Sequence, residues 1–384
     1  MSRTTQQAAA TEAAPVPRQP LRLPTYVWEP TTDFLAARYG LPRESIVRFD
    51  VNTSPVPPDL SDVLAGAFDP SLSEYPPSDY AALVAAAADA YGVATDEILP
   101  TAGADEALDL TARAFLREGS VAVAATPTYA MYRIVSEQRG ASFVSVPRRP
   151  GNEEFALDLP ALAAAARAAQ LVWLCEPNNP TGTAEPPLRI AELLSMFAED
   201  AAADGREPPA VVVDEAYAEF VGRSVLPLRS FYPRLVVVRT LSKAHALAGA
   251  RVGFAVACPQ TLAPILSYRA PASVGTVSAA LGTASLSRPE LAAANVARVT
   301  AERSRLAGEL AALGWQPYAS EANFILVRFG DAALAAGAAE ALLRVGLVPR
   351  TFGPDHPLTD CLRLTVRSVE ENDRLIAAAR EITA

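Results

Sequence analysis

The chain has 384 residues, 50% hydrophobic and 20% charged, which describes a folded globular protein with residues for a sizeable core and not a disordered one. Asp and Glu outnumber Lys and Arg by 43 to 33, and a net charge of −10 with no basic run lacks the electrostatic footprint of a nucleic-acid binder. Three scattered cysteines (Cys175, Cys258, Cys361) and two histidines (His245, His356) argue against a disulfide framework and a metal cluster, and no apolar run reaches the roughly 18 residues of a membrane span.

Residues 1–20 are rich in Ala, Gln, Thr and Pro and have no apolar core, so they read as a disordered leader, with a transit peptide as the alternative, rather than a secretory signal, and a reduced, cytoplasmic setting is expected. Residues 21–60 carry many prolines and aromatic residues and are expected to fold back onto the C-terminal part. From 61 to 285, short apolar runs (121–124, 143–146, 171–174, 210–213, 235–238, 252–257) alternate with helical patterns such as 105–117, 129–138 and 188–202. Continuous apolar strands between helices predict a large α/β domain with a buried parallel sheet. Residues 286–384 predict a smaller α+β domain, with helices over 289–313, 332–344 and 370–382 and strands over 324–328 and 361–366. The long 289–313 helix is the natural connector. Alanine-rich stretches such as 161–169 read as helix, not low complexity, since alanine is the strongest helix former.

The chemistry concentrates just after the strands. Leu241-Ser242-Lys243 follows 235–238, and a lysine at a buried strand end suits a Schiff base with an aldehyde cofactor. Arg251, eight positions on, suits bidentate binding of an oxyanion. The apolar run 211–213 ends in Asp214, a buried carboxylate that needs a cation; a protonated pyridine nitrogen would supply one, and Tyr217 can point into the same crevice. Pro177-Asn178-Asn179-Pro180-Thr181-Gly182 forms a rigid turn at another strand end and offers the Asn179 amide to a ring oxygen. Ala102-Gly103-Ala104-Asp105 opens a helix with small residues, which suits a phosphate, and Tyr129 in Thr126-Pro127-Thr128-Tyr129 can stack on a planar ring. Each motif alone also reads as a cap, a turn or a core residue. An aromatic plate, an amide, an acid and a lysine at four strand ends, with a phosphate-suited helix start, combine into a pyridoxal phosphate site.

The strings AGADEALDL, TPTYAMY, PNNPTGT, VVVDEAYAEF, RTLSKAHALAGARVGF, EANFILVR and DCLRLTV resemble those of fold-type I, pyridoxal-phosphate-dependent aminotransferases, and most of all the histidinol-phosphate aminotransferase branch. The resemblance runs from about residue 21 to the C-terminus. It implies an aspartate-aminotransferase-like large domain with a mostly parallel seven-stranded sheet. It makes Lys243 the cofactor-binding lysine and the proton-transfer base, Asp214 the partner of the ring nitrogen, Tyr217 and Asn179 the partners of the phenolic oxygen, and Tyr129 the stacking ring. Ala104, Asp105, Thr240, Ser242 and Arg251 would hold the phosphate. Tyr75 matches a tyrosine that reaches the phosphate from a neighbouring subunit, which implies a homodimer. Arg363 matches the arginine that binds the acidic tail of the substrate, and Arg350 joins it in this branch. Tyr26 matches a tyrosine that covers the substrate, and Asn52 stands where the family has an Asn-Glu-Asn-Pro run.

The chain departs from the branch at several positions. Thr53-Ser54-Pro55 lacks the acidic residue after Asn52, and Arg367-Ser368 replaces the usual Gly-Thr, so Arg367 either reaches the substrate pocket or points to solvent. His245 replaces an aromatic residue and reads as packing, and the stretch 28–41 is longer than the usual lead-in. The expected reaction is ping-pong transamination between glutamate and imidazole acetol phosphate. Transamination of aromatic amino acids and decarboxylation of a phosphorylated amino acid are the alternatives within the fold. A non-catalytic regulatory module is disfavoured, because the lysine site is intact and the leader is too short for a DNA-binding extension.

Overall fold

The computed structural model describes residues 23–66, 72–149 and 155–383. The leader expected over 1–20 lies outside them. Among the described residues, twelve strands form three sheets. The largest has the order β2-β8-β7-β6-β5-β3-β4, built from β2 (Ile98–Thr101), β3 (Val121–Thr126), β4 (Ser142–Pro147), β5 (Leu171–Cys175), β6 (Ala210–Asp214), β7 (Leu235–Thr240) and β8 (Gly253–Val256). The pairs from β4 through β7 are parallel, and β8 is antiparallel to both β7 and β2. The sheet is therefore mostly parallel, as the resemblance implies.

Both faces are buried, which is why its central strands read as unbroken apolar runs. Val123, Val172, Val211, Val213 and Val237 pack into one core, while Ala124, Trp173, Val212, Val236 and Val238 pack into another on the opposite face. The six apolar runs of the sequence correspond to β3–β8. The seventh strand, β2, is four residues long and contains Pro100, which is tolerated because β2 lies at the sheet edge.

The antiparallel course of β8 matters for the site. Gly253, its first residue, pairs with Thr240 at the end of β7 and with Thr101 at the end of β2. One edge of the sheet thus gathers the carboxyl ends of β2, β3, β5, β6 and β7 together with the start of β8. Open α/β sheets place their ligands along this edge.

The C-terminal elements have their own core around Phe324, Leu326 and Leu364, in a sheet of β9 (Gln316–Pro317), β10 (Phe324–Arg328) and β12 (Cys361–Thr365). The 24-residue helix Pro289–Ala312 leads into it. The N-terminal segment does fold back here: β1 (Val47–Arg48) pairs with β11 (Leu347–Val348), and Phe49 joins the same core. Arg350 and Arg363 form an antiparallel bridge, exchanging both backbone hydrogen bonds at 3.0 Å.

Candidate active site

A cavity of about 720 Å³ opens at the ligand-bearing edge of the large sheet, against the C-terminal sheet and the N-terminal segment. Every site residue expected from the sequence lines it, except Tyr75. Tyr75 is 89% exposed and stands away from the cavity of its own chain.

At the reactive end lies Lys243, on the turn after β7. Its Nζ donates to the Asn52 carbonyl at 3.2 Å and sits 5.8 Å from the centre of the Tyr217 ring. Burial pushes its pKa down to about 8, and the charges of Arg363 and Arg251 act the same way against Asp105 and Asp214. The amine can therefore shed its proton near neutrality.

Asp214 ends β6 and is 3% exposed. Its oxygens accept from the Tyr132 hydroxyl at 2.8 Å and from the Ala216 N–H at 3.1 Å. Burial pushes its pKa up to about 6 despite these two donors. It has no ion-pair partner among the described residues, and its position at the cavity suits a cationic ring N–H. Tyr132 is held in turn by stacking on Trp173, with ring centroids 5.4 Å apart and planes within 6°. Neither Tyr132 nor Trp173 was expected from the sequence, where each reads as an ordinary core aromatic.

The anion-suited end is a cradle of backbone. The helix Ala104–Phe115 starts at Gly103 with φ +81° and no side-chain cap, and its first two residues, Ala104 and Asp105, line the cavity, which suits an anion at the helix start. A Cβ on Gly103 would come within 2.6 Å of Arg251 Nη2, and one on Gly253 within 2.5 Å of the Gly103 carbonyl carbon. Gly253 is required by that approach to backbone, and Gly103 by its left-handed φ. Arg251 itself adopts φ +53° and pairs with Asp105 at 3.2 Å, while the Thr240 hydroxyl donates to Ser242 Oγ at 2.9 Å. Tyr129 donates to the other Asp105 oxygen at 3.0 Å, which fixes its ring over the cavity. These donors, the buried acid and the lysine suit the phosphate, ring nitrogen and aldehyde of pyridoxal phosphate.

The third region is the arginine pair. Arg350 and Arg363 stand directly opposite in the backbone bridge, so their side chains leave from one face. Arg363 donates to Asn179 Oδ1 at 2.6 Å and to the Asp50 carbonyl at 2.5 Å, and lies 5.3 Å from the Phe324 ring centre. Arg350 lies against Glu29. Tyr26, Trp28, Phe352 and His356 complete this wall, with Tyr26 edge-on to Trp28 and His356 stacked on Phe352. Glu29, Trp28, Phe352 and His356 were not expected, because no motif marks the loops that carry them.

Asn52 ties these parts together. At φ +52° its amide donates to the Tyr217 hydroxyl at 3.0 Å and accepts from Thr365 at 3.1 Å. Two departures from the branch are explained locally. Arg367 neither reaches the pocket nor extends to solvent: it donates to the Thr53 carbonyl and pairs with Glu371, tying the N-terminal segment to the last helix. The buried His245 is hydrogen-bonded to Ser285 and packs away from the cavity. No helix among the described residues is long and apolar enough to cross a membrane.

Comparison with known proteins agrees with this geometry. The family model for class I and II aminotransferases matches residues 48–378. Histidinol-phosphate aminotransferase of Roseiflexus castenholzii is 37% identical over 358 residues, covering 91% of this chain and 92% of that protein. The enzyme of the same name from Xylella fastidiosa is 40% identical over 302 residues, covering 77% and 80%. The crystal structure of histidinol-phosphate aminotransferase from Sinorhizobium meliloti, in complex with pyridoxal 5′-phosphate, superimposes with a TM-score of 0.82 at 27% identity over 93% of this chain and 95% of that one.

Proposed function

Because the chain belongs to the class I and II aminotransferases, which use pyridoxal phosphate, we propose that it moves an amino group between glutamate and the phosphorylated pair histidinol phosphate and imidazole acetol phosphate, in histidine biosynthesis. The observation that carries the substrate is the bridge that sets Arg350 and Arg363 on one face at the end of the cavity. Two guanidiniums on one face suit a phosphate monoester, and Arg363 alone suits a carboxylate.

When bound, pyridoxal phosphate supplies an aldehyde that takes up the amino group and a ring that accepts the electrons left at the α-carbon. Lys243 is its attachment point, and its Nζ then takes the proton from the substrate α-carbon. Asp214 holds the ring nitrogen protonated, with Tyr132 keeping the carboxylate oriented. Tyr217 and Asn179 hold the phenolic oxygen, Tyr129 covers the ring, and Ala104, Asp105, Thr240, Ser242 and Arg251 hold the phosphate. Asn52 positions Tyr217 and Lys243, and Tyr26 covers the substrate.

We further infer a cytoplasmic homodimer, in which the exposed Tyr75 reaches the phosphate cradle of a second copy. We also infer a division into an N-terminal segment (21–60), a large domain (61–285) and a small one (286–384); the cores on the two faces of the large sheet support the second, and the core around Phe324, which Val47 and Phe49 join, supports the third.

A half-reaction screen tests the substrate. The cofactor-loaded protein is mixed in turn with histidinol phosphate, glutamate, phenylalanine and a phosphorylated hydroxy amino acid, and the visible absorbance of the bound cofactor is followed. Fast conversion by histidinol phosphate and glutamate, with phenylalanine slow, supports the reading. Faster conversion by phenylalanine, or release of carbon dioxide from the phosphorylated hydroxy amino acid, overturns it.

A further inference from the structure

A lysine that takes a proton from a substrate carbon must bring its Nζ back to one place in every turnover, and a misplacement of about 1 Å can cost about a hundredfold in rate. A long, freely rotating side chain does this only if the backbone it swings from is fixed. Lys243 lies on a turn outside any strand or helix. Besides the hydrogen bonds of the turn itself, that backbone is held from outside by Asn295, on the connecting helix Pro289–Ala312. Asn295 Nδ2 donates to the Ala244 carbonyl at 2.8 Å and to the Lys243 carbonyl at 3.4 Å.

Asn295 is fixed in turn. Its Oδ1 accepts from Arg298 Nη2 at 2.6 Å, and Ser54 Oγ lies 3.1 Å from the same oxygen and 3.2 Å from Arg298 Nη2. Arg298 Nη1 donates to the Arg367 carbonyl at 3.2 Å, and the Arg367 guanidinium donates to the Thr53 carbonyl, also at 3.2 Å. Thr53 follows Asn52, whose carbonyl accepts from Lys243 Nζ at 3.2 Å. These contacts close a ring that leaves from the Lys243 backbone and returns to its amine. Arg298 forms no ion pair with the described residues, and its partners in the ring are a carbonyl, a hydroxyl and an amide oxygen. Burial and the nearby Arg367 charge both lower its pKa, so a cation is kept here against an electrostatic cost. Three members of the ring, Thr53, Ser54 and Arg367, are positions where the chain departs from its branch.

Resting on the role of Lys243 and not on the choice of substrate, we propose that Asn295, Arg298 and Arg367 are positioning residues that hold the reactive lysine at both ends, its backbone through Asn295 and its amine through Thr53 and Asn52. Arg298 joins the two halves, because one guanidinium binds Asn295 and the Arg367 carbonyl together. The departures then belong to one arrangement. Arg367 supplies the donor that holds the Thr53 carbonyl, and Ser54 supplies the hydroxyl that sits between Asn295 and Arg298.

The test cuts the ring in each half. Asn295→Ala removes the backbone hold and Arg367→Met the amine hold, and the two are made singly and together. Alanine suits a helix interior and methionine replaces the apolar stem of the arginine, so the fold survives both. Ser54→Ala, which removes one contact to Asn295, is the mildest cut and gives a smaller slowing of the same kind. The first readout needs no substrate: pyridoxal phosphate is added to cofactor-free protein, and its uptake by the Lys243 amine, with loss of water, is followed by visible absorbance. The second is the half-reaction of the loaded enzyme with glutamate, measured for its limiting rate and its half-saturating concentration. Each single variant is slower by about three- to tenfold in uptake and about tenfold in the half-reaction, with half-saturation within about twofold of wild type because Arg363 is untouched. The double variant falls no more than about twofold below the slower single, since a ring cut once is already open. Wild-type rates in Asn295→Ala overturn the proposal. So does a double variant whose loss is the product of the two single losses, which makes the contacts independent, or a rate loss matched by an equal rise in half-saturation, which places the effect in substrate binding. The substrate reading fails separately: wild type that does not turn over histidinol phosphate refutes that reading, while cofactor uptake still decides what the ring does.

Discussion

Replacing Asp214 with Asn separates what the fold tolerates from what the chemistry needs. Burial raises the Asp214 pKa from 3.8 to about 6 in the cofactor-free protein. A shift of about two pH units corresponds to about 3 kcal/mol of destabilisation when the carboxylate is ionised. The side chain is 3% exposed, so solvent screening barely reduces this. Asparagine has the same shape and keeps both contacts: its oxygen accepts from the Ala216 N–H, and its amide donates to the Tyr132 oxygen. The sign follows from the raised pKa. Below about pH 4 both folded and unfolded Asp214 are protonated, and wild type and variant match. Between about pH 4 and 6 the unfolded chain ionises first, so wild type loses stability and the gap opens to its full value. The cofactor-free variant is then more stable at pH 7 by up to about 3 kcal/mol, or ~4 °C in a chain of this length. Thermal unfolding of both cofactor-free proteins from pH 4 to 7 measures it. The variant also loses the partner of the ring nitrogen and binds the cofactor more weakly. A stability gap that is the same at pH 4 and pH 7, or a variant less stable than wild type at pH 7, refutes the reasoning.

The remaining predictions address the other parts of the site. Lys243→Ala abolishes turnover but still binds cofactor non-covalently, so the cofactor exchanges and desalts out of the variant faster than out of wild type; near-normal turnover sinks the assignment. Gly253→Ala forces a Cβ to within 2.5 Å of the Gly103 carbonyl carbon, which shifts the helix start. Cofactor affinity drops at least about tenfold and urea stability falls by ~1–3 kcal/mol, the usual range for overpacking; wild-type affinity rejects the backbone cradle. Arg363→Lys cannot span Asn179, the Asp50 carbonyl and a substrate anion together, so steady-state kcat/KM for both substrates falls by about 10- to 100-fold, the worth of one hydrogen bond to a charged group. An unchanged kcat/KM would place the anion elsewhere.

The parts of this protein that the sequence makes legible are those tied to strand ends. β3, β5, β6 and β7 are buried on both faces and read as apolar runs, so the polar residue after each stands out: Tyr129, Asn179, Asp214 and Lys243. β2 is hidden because an edge strand of four residues with a proline carries little periodicity. The arginine pair is legible as two residues, but not as a pair: a 13-residue separation does not state that Arg350 and Arg363 exchange backbone hydrogen bonds. Tyr132 is invisible for a different reason. A buried tyrosine three residues after Tyr129 fits any amphipathic helix, and only the β6 end opposite it gives its hydroxyl an acid to hold. Glu29 lies in a segment with no periodic pattern, so its contact with Arg350 depends entirely on the path of the chain.

Asn52 shows why the reactive lysine and the anion site are not independent. Its carbonyl accepts from Lys243 and from Asn323, next to β10, and its amide joins Tyr217 to Thr365 on β12. Arg363 lies on that same strand, two residues before Thr365, and its guanidinium reaches Asn179 after β5. Arg363 is thus connected along β12 through Thr365 and Asn52 to the lysine, and through Asn179 to the end of β5. The left-handed backbone at Asn52, φ +52°, is what lets one residue offer its carbonyl to the lysine while its side chain faces Tyr217. Asparagine is one of the few side chains that adopt that conformation at low cost. Arg363 on the small sheet and Lys243 after the large one are thus connected through a residue that neither sheet contains.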